Sequence, residues 1–252
     1  MSTNCLKGSS SDGAMRINRY LARCGLGSRR KVESLLFRGR VCINGEKATS
    51  PALKVLPGDV VTVDGSVVRP AGLVYAVMHK PRGIVCAASD RWNKTVLDLL
   101  PVDIKALRPF PVGRLDKESE GLLILTNDGD FAFRIAHPRF GILKEYETLL
   151  DRPLEREDML RWISGLWVDG SVRRPVRLVL IDRDPEGQWV SVTLGEGLNR
   201  EVRKMVEVLG YSVLRLIRRR IGRLTLENIA PGETAMKSRD SLWRMIADGG
   251  SV

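Results

Sequence analysis

The sequence is poor in the residues from which metal and redox sites are usually built. It has only 2 histidines and 4 cysteines, and Cys5, Cys24, Cys42 and Cys86 lie far apart with no C-x-x-C pair. This spacing argues against a zinc or disulfide framework and for reduced thiols in or near cores. Aromatic residues make up 6% of the chain, so aliphatic side chains must fill the interior. No apolar run approaches the ~20 residues of a spanning helix. Residues 1–14 are rich in Ser and Gly and lack the apolar centre of a secretory signal, so they read as a disordered extension ahead of a fold opening at Met15. A cytoplasmic protein away from membranes is expected. Nothing resembles a nucleotide-binding loop, so no cofactor and no metal are expected. Acid is scarce relative to base, 30 Asp+Glu against 41 Lys+Arg, for a formal charge of +11. A basic surface without a membrane-length apolar segment points to nucleic acid as the partner.

The 252 residues suffice for a small and a medium domain. Ile17, Tyr20, Leu21 and Cys24 recur at helical spacing before Gly25 and Gly27. Ser28 can cap a second helix over residues 29–38, closed by Gly39. Val41-Cys42-Ile43 runs into Asn44-Gly45, and Val60 to Val63 runs into Asp64-Gly65; both are hairpin signals. The unit is basic: Arg16, Arg19, Arg23, Arg29, Arg30, Lys31, Arg38, Arg40, Lys47, Lys54 and Arg69 face only Glu33, Glu46, Asp59 and Asp64. A single arginine here reads as a solvated helix face. The cluster does not, because packed like charge costs stability unless a polyanion relieves it.

The run RINRYLARCGLGSRRKVESLLFRGRVCING, residues 16–45, resembles the αL RNA-binding module first known from a small-subunit ribosomal protein. The resemblance covers residues 16 to about 69. It implies that the two helices present their basic turn to structured RNA, with Arg16, Arg19, Arg29, Arg30, Lys31 and Arg38 as contacts. The domain is placed at 15–69.

Residues 69–72 read as a linker. Beyond them, strand-like segments lie near positions 74–79, 122–125, 146–150, 176–181 and 190–194. Helical segments lie near 131–136, 155–163 and 200–209. Strands dominate without alternating regularly with helices, which predicts an α+β domain over 73–252 with a mainly antiparallel sheet.

The most informative stretch is GRLDKESEGLLILTNDG, residues 113–129. Glycines bracket a charged loop, and an apolar strand follows. Asp116 stands there beside Arg114, and Asn127 and Asp128 can cap a helix before Phe131. In isolation an Arg-Leu-Asp triplet reads as a surface ion pair. In this context it resembles the signature of the RsuA/RluB family of ribosomal RNA pseudouridine synthases. Four further pieces agree in order: His79 to Gly83 with a strand-ending Asn-Lys-Pro-x-Gly, Thr95 to Pro101 with a short helix, Lys144-Glu145-Tyr146 with a Lys-x-Tyr strand, and Gly197 to Met205 with a late helix. His79 departs from the usual Asn.

The resemblance implies roles residue by residue. Asp116 is the nucleophile. Tyr146 packs against the target base and acts in proton transfer. Arg203 pairs with the catalytic carboxylate and keeps it ionised against desolvation, holding it with two hydrogen bonds. Arg114, Asn199, Arg200 and Lys204 are expected to contact RNA. Arg218-Arg219-Arg220, alternating with Leu216, Ile217 and Ile221, predicts a strand edge near the RNA, with Arg215 and Arg223 close by. The expected partner is ribosomal RNA. The late region and its NREVRKM form resemble the large-subunit members, which points to a specific uridine in 23S ribosomal RNA. A monomer is expected, as is usual in that family.

Two other classes compete. A non-catalytic RNA-binding ribosome-assembly factor could keep the fold without the chemistry. Such a relative would have lost Asp116, Tyr146 or Arg203, and all three positions are filled. A basic DNA-binding protein is disfavoured because no recognition-helix arrangement is present.

Overall fold

The computed structural model describes residues 13–226 and 228–247, with only the backbone of Arg183. The expected disorder of residues 1–14 falls almost wholly outside this range. The chain divides into two compact units, Met1–Gly72 and Leu73–Val252.

In the first unit the helices Ile17–Arg23 and Arg29–Phe37 form where the periodicity places them. Ser28 caps the second, its side chain accepting from the Lys31 amide at 3.2 Å. Ile17, Leu21, Val32 and Leu36 are fully buried. They pack on Val41, Val61 and Val63 of a four-stranded antiparallel sheet. Asn44 and Asp64 adopt left-handed backbone angles at the two hairpin turns, φ 52° each. Arg16, Arg29, Arg30, Lys31 and Arg38 are left exposed, and Arg19 is half-buried.

The second unit is built on a nine-stranded sheet. Seven strands form its continuous path: β1 Tyr75–Lys80, β2 Glu120–Thr126, β3 Lys144–Leu150, β4 Arg177–Asp184, β5 Gly187–Leu194, β6 Val213–Ile221 and β7 Thr234–Met236. Their spatial order is β4-β5-β3-β6-β2-β1-β7. Every pair on the path is antiparallel except β6 with β2. The mainly antiparallel α+β expectation therefore holds.

The run Leu122-Leu123-Ile124-Leu125 is continuous because β2 is covered on both faces. Leu122 and Ile124 join a core with Phe131, Ile217 and Leu242; Leu123 and Leu125 join another with Met78, Val96 and Leu97. All four are fully buried, each contributing about 1.5–3 kcal/mol relative to exposure. A third core gathers Tyr146, Trp162, Val192, Met205 and Leu216 where the helix Glu201–Val208 crosses the sheet.

One expectation fails. The Arg218-Arg219-Arg220 segment is not a sheet edge. Strand β6 is interior, bonded to β3 on one side and β2 on the other. Arg215, Arg219 and Arg220 are paired within the sheet, whereas Arg218 is buried with its Nη2 lacking a hydrogen-bond partner among the described residues. The Arg218 Nε donates to the Leu122 carbonyl at 2.8 Å. Arg215, Arg219 and Arg220 pair with Glu120, Glu147 and Glu145 at 2.8, 2.5 and 2.5 Å. Alternation along the strands sends Arg215 and Arg219 to the face opposite Tyr146.

Candidate active site

Asp116 sits in the loop between the short strand Phe110–Val112 and β2. What holds that loop is a lysine. Lys80, the last residue of β1, is fully buried, and its ammonium donates to the carbonyls of Pro81, Lys117 and Ser119 at 3.0, 3.3 and 2.6 Å. Three donors meet three acceptors, so the buried charge is neutralised by backbone dipoles. Burial lowers the Lys80 pKa to about 8. The Lys117 carbonyl also accepts the Gly83 amide at 2.8 Å, and Arg82 pairs with Glu118 at 3.0 Å. Three residues after Asp116, Ser119 is buried and donates its amide back to the Asp116 carbonyl at 3.0 Å.

The loop meets the sheet at Gly121, where φ is +111°. A Cβ there would stand 2.4 Å from the Arg218 carbonyl oxygen and 2.6 Å from its amide nitrogen. Only glycine allows β2 to come this close to β6 while holding that angle.

The Asp116 side chain remains about one-third exposed, and it lines a pocket of about 430 Å³. Tyr146 of β3, itself buried, lines the pocket with Leu115, Leu194, Val202 and Leu216. Cys86, Gly113, Arg114, Ser119, Asn199 and Arg200 supply polar lining. An apolar floor with a few convergent polar groups is the usual make-up of a small-molecule site.

Two arginines address the Asp116 carboxylate. Arg200 Nη1 lies 3.7 Å from Oδ2 and Arg203 Nε lies 3.9 Å from it. The expected pair of hydrogen bonds from Arg203 is not formed in this state. Its Nη1 instead donates to the Val213 carbonyl at 3.3 Å, and its Nη2 reaches the Glu118 carbonyl and Ser119 Oγ at 3.5 Å. Its Nε is buried without a hydrogen-bond partner among the described residues. Burial lowers the Arg203 pKa, and the nearby Arg200 charge adds to the effect.

Arg200, by sequence an RNA contact only, also stands against the carboxylate. It precedes the helix Glu201–Val208 in a left-handed conformation, φ 52°, ψ 31°, which is uncommon outside glycine and asparagine. Glu201, buried behind it, accepts the Leu198 amide at 3.1 Å, and burial raises its pKa. Arg114, expected beside Asp116, lines the pocket exposed but is not among the ion-pair partners of Asp116. Asn199 is exposed at the rim, while Lys204 is turned away into an ion pair with Asp169.

Sequence reasoning gives Lys80 no role, although a lysine closing an apolar strand before Pro81 is the available signal. Cys24, Cys42 and Cys86 carry free thiols; Cys5 lies outside the described residues. Among the described residues no helix is long and apolar enough to cross a membrane.

Known proteins resemble this chain in sequence and fold. The family described as RNA pseudouridylate synthase matches residues 74–208, the span that contains Asp116, Tyr146, Arg200 and Arg203. The S4 domain matches residues 15–61. The ribosomal large subunit pseudouridine synthase B of Bacillus subtilis is 34% identical over 220 residues, 86% of this chain and 90% of that protein. The dual-specificity RNA pseudouridine synthase RluF of Escherichia coli K12 is 34% identical over 241 residues, 94% of this chain and 77% of that protein. A crystal structure of a pseudouridylate synthase superposes with a TM-score of 0.63 at 24% identity, covering 92% of this chain and all of the other, which shows the shared fold. An S4 domain followed by a synthase domain that carries Asp116 in its G-R-L-D loop places this chain in the RNA pseudouridylate synthase family, in its RsuA/RluB branch.

Proposed function

We propose that the protein isomerises a specific uridine of 23S ribosomal RNA to pseudouridine, with residues 73–252 as the catalytic domain and residues 15–69 as an RNA-binding domain. The observation that carries the reading is the Asp116 carboxylate at the pocket, facing Arg200 and Arg203 beside the buried ring of Tyr146. The named activity of the Bacillus subtilis relative on the large ribosomal subunit supports the choice of RNA.

In this reading the target nucleotide leaves its stack and its base enters the apolar pocket against Tyr146, at a cost of roughly a few kcal/mol. Asp116 attacks as a carboxylate. The C1′–N1 bond breaks, with its electron pair leaving on the uracil. The freed base turns, C5 bonds to C1′ and the carboxylate departs. N1 ends with the proton that C5 gives up, so the product is an isomer and no co-reactant is consumed. Tyr146 acts in that proton transfer. Arg203 and Arg200 keep Asp116 ionised once the base has displaced water from the pocket. Arg114 and Asn199 contact the RNA at the rim, with Arg16, Arg19, Arg29, Arg30, Lys31 and Arg38 doing so from the N-terminal domain. Lys204, paired with Asp169, must exchange partners to reach a phosphate.

The test is pseudouridine mapping of ribosomal RNA from cells with and without the gene. One 23S pseudouridine is expected to vanish without it. It should return with the wild-type gene and not with Asp116→Asn. An unchanged map overturns the assignment of substrate.

A further inference from the structure

On the far end of β6 lies a cavity of about 760 Å³ that the catalytic reading leaves unused. This is within the ~300–1,000 Å³ typical of ligand sites. Three cations converge on it from three elements: Arg223 from the turn after β6, Lys237 just beyond β7, and Arg244 from the helix Arg239–Ala247. Among the described residues no carboxylate lines it, and none forms an ion pair with any of the three cations. Arg215, Arg219 and Arg220 on the neighbouring strand β6, by contrast, are all neutralised by glutamates.

The turn is held against the helix, and the segment after β7 is held against β1. Gly222, at φ +57°, lets the turn approach the helix so closely that a Cβ would stand 2.1 Å from the Ile246 carbonyl oxygen. Next to it, the Arg223 amide donates to that same carbonyl at 3.4 Å. The Lys237 amide donates to the Tyr75 carbonyl of β1 at 3.0 Å. Like charges gathered without a counter-charge among the described residues cost stability unless an anion is bound. Arg244 Nε donates to the Asp240 carbonyl at 3.4 Å, and the lysine and arginine side chains swing from their backbone frame to meet the anion. The rest of the lining is mixed. Thr225, Asn228 and Ser241 offer hydrogen bonds, while Val77, Ile229 and Met245 offer apolar surface. Phosphate, sugar and base of one nucleotide call for those three kinds of surface.

We propose that this cavity is a second RNA site, which takes a phosphodiester-linked nucleotide of the substrate away from the target uridine. Arg223, Lys237 and Arg244 hold the phosphate, and the apolar wall receives the base or ribose. The proposal rests on the reading of the protein as an RNA-modifying enzyme. Arg223 follows the strand that carries Arg218 beside Tyr146. Val77, however, packs with Ile124 and Ile217 on the face of the sheet opposite Tyr146, so RNA held here lies across the sheet from the catalytic pocket at a fixed offset.

The test uses the full-length protein and 23S ribosomal RNA transcribed in vitro. Binding is measured against salt for wild type, for Arg223→Gln/Lys237→Gln/Arg244→Gln, and for Arg223→Lys/Arg244→Lys, which keeps the charge. Each phosphate contact contributes ~0.7–0.9 to the slope of log affinity against log salt. With one phosphate held by the three cations, the Gln variant should therefore show a slope shallower by about 0.7–0.9, with KM raised and kcat at saturating RNA unchanged. The Lys variant should keep the slope. All three changes are at exposed or half-exposed positions, and thermal melting of each variant is the folding control.

An unchanged slope in a folded Gln variant overturns the proposal. Adenosine monophosphate at millimolar concentration is the second arm. If it raises the melting temperature of wild type only, and the RNA slope is unaffected, the cavity serves a free nucleotide and the RNA assignment falls. Failure of the functional reading is separate: it shows as no pseudouridine formed by wild type in that RNA, while the salt slope stays readable because it reports binding alone.

Discussion

Arg203 Nε stands 3.9 Å from Asp116 Oδ2 and is buried with no hydrogen-bond partner among the described residues. The other two nitrogens of the guanidinium are committed to the Val213 and Glu118 carbonyls and Ser119 Oγ. The Nε donor is thus still available, and it faces the carboxylate on which the proposed chemistry depends. Catalytic hydrogen bonds are often long in the absence of substrate and tighten in the complex. A closure of about 1 Å would turn this ion pair into a charge-assisted hydrogen bond.

Arg203→Lys keeps the charge and loses the fork. It cannot serve the two backbone carbonyls and Asp116 together. Turnover should fall by roughly tenfold or more, with KM changed little, and Arg203→Gln should lose about a hundredfold. Arg200→Gln, at the more exposed of the two arginines, should cost less turnover and raise KM more. Steady-state kinetics on a transcribed substrate separate these cases. Equal losses at both positions would show that the two arginines are interchangeable.

Lys80 ties pH to the catalytic loop. Its ammonium supplies three donors to three carbonyls, and its pKa is about 8, against 10.5 in a free lysine. Deprotonation removes one donor and releases part of the hold on the loop of residues 117–119. Turnover should decline as pH rises through about 8, and in Lys80→Met that limb should be absent from an already lowered profile. The stability effect has the opposite sign. The folded pKa lies below the unfolded one, so between about 8 and 10.5 the unfolded chain binds more protons and the folded state gains stability with rising pH. Activity that falls while the denaturation midpoint rises is the expected pair. A parallel fall of both would mean that the alkaline limb is unfolding.

How much of this is legible in the sequence depends on the range of each interaction. Ser28 as a cap, the turns at Asn44 and Asp64, and the apolar run of β2 are fixed by residues near in sequence, and they lie where the pattern puts them. The sheet order is not local. Whether β6 is an edge or an interior strand depends on Glu120, Glu145 and Glu147, which come from two other strands. An Arg run alternating with Leu and Ile is the same string either way, so side chains that the sheet neutralises look like RNA contacts in the sequence. Asp116 and Tyr146 are found through motif resemblance, because nothing in a lone Arg-Leu-Asp separates a nucleophile from a surface pair. Lys80 and Arg200 gain their places only once the loop carbonyls and the left-handed turn are visible in three dimensions.

Tyr146 sets packing against proton transfer. Its ring is buried in the same core as Leu216 and Val192 and also lines the pocket. Tyr146→Phe keeps the ring and removes the hydroxyl. Affinity for RNA should hold, while turnover should fall by about a hundredfold or more if the hydroxyl moves a proton. Tyr146→Ala should also destabilise the fold, by about 3–5 kcal/mol for a buried aromatic. Wild-type turnover in the Phe variant would confine Tyr146 to stacking.

RNA affinity and chemistry should be separable by truncation. Residues 15–69 carry exposed Arg16, Arg29, Arg30, Lys31 and Arg38, whereas Asp116, Tyr146, Arg200 and Arg203 all belong to the unit Leu73–Val252 with its own cores. Deleting residues 1–70 should therefore leave a folded protein that still isomerises uridine at saturating RNA. Its affinity should drop, because phosphate contacts supply much of nucleic-acid binding. Removing one phosphate contact flattens the plot of log affinity against log salt by about 0.7–0.9. Arg29, Arg30 and Lys31 open the helix Arg29–Phe37, where free backbone amides also favour phosphate. Changing these three to Gln together should reproduce up to about 2–3 of the flattening that truncation causes. Binding measured against salt for the three proteins, with circular dichroism as the folding check, decides the matter. A truncated protein that keeps the full slope would mean that the N-terminal basic cluster does not touch the RNA, and its charge would then need a different partner.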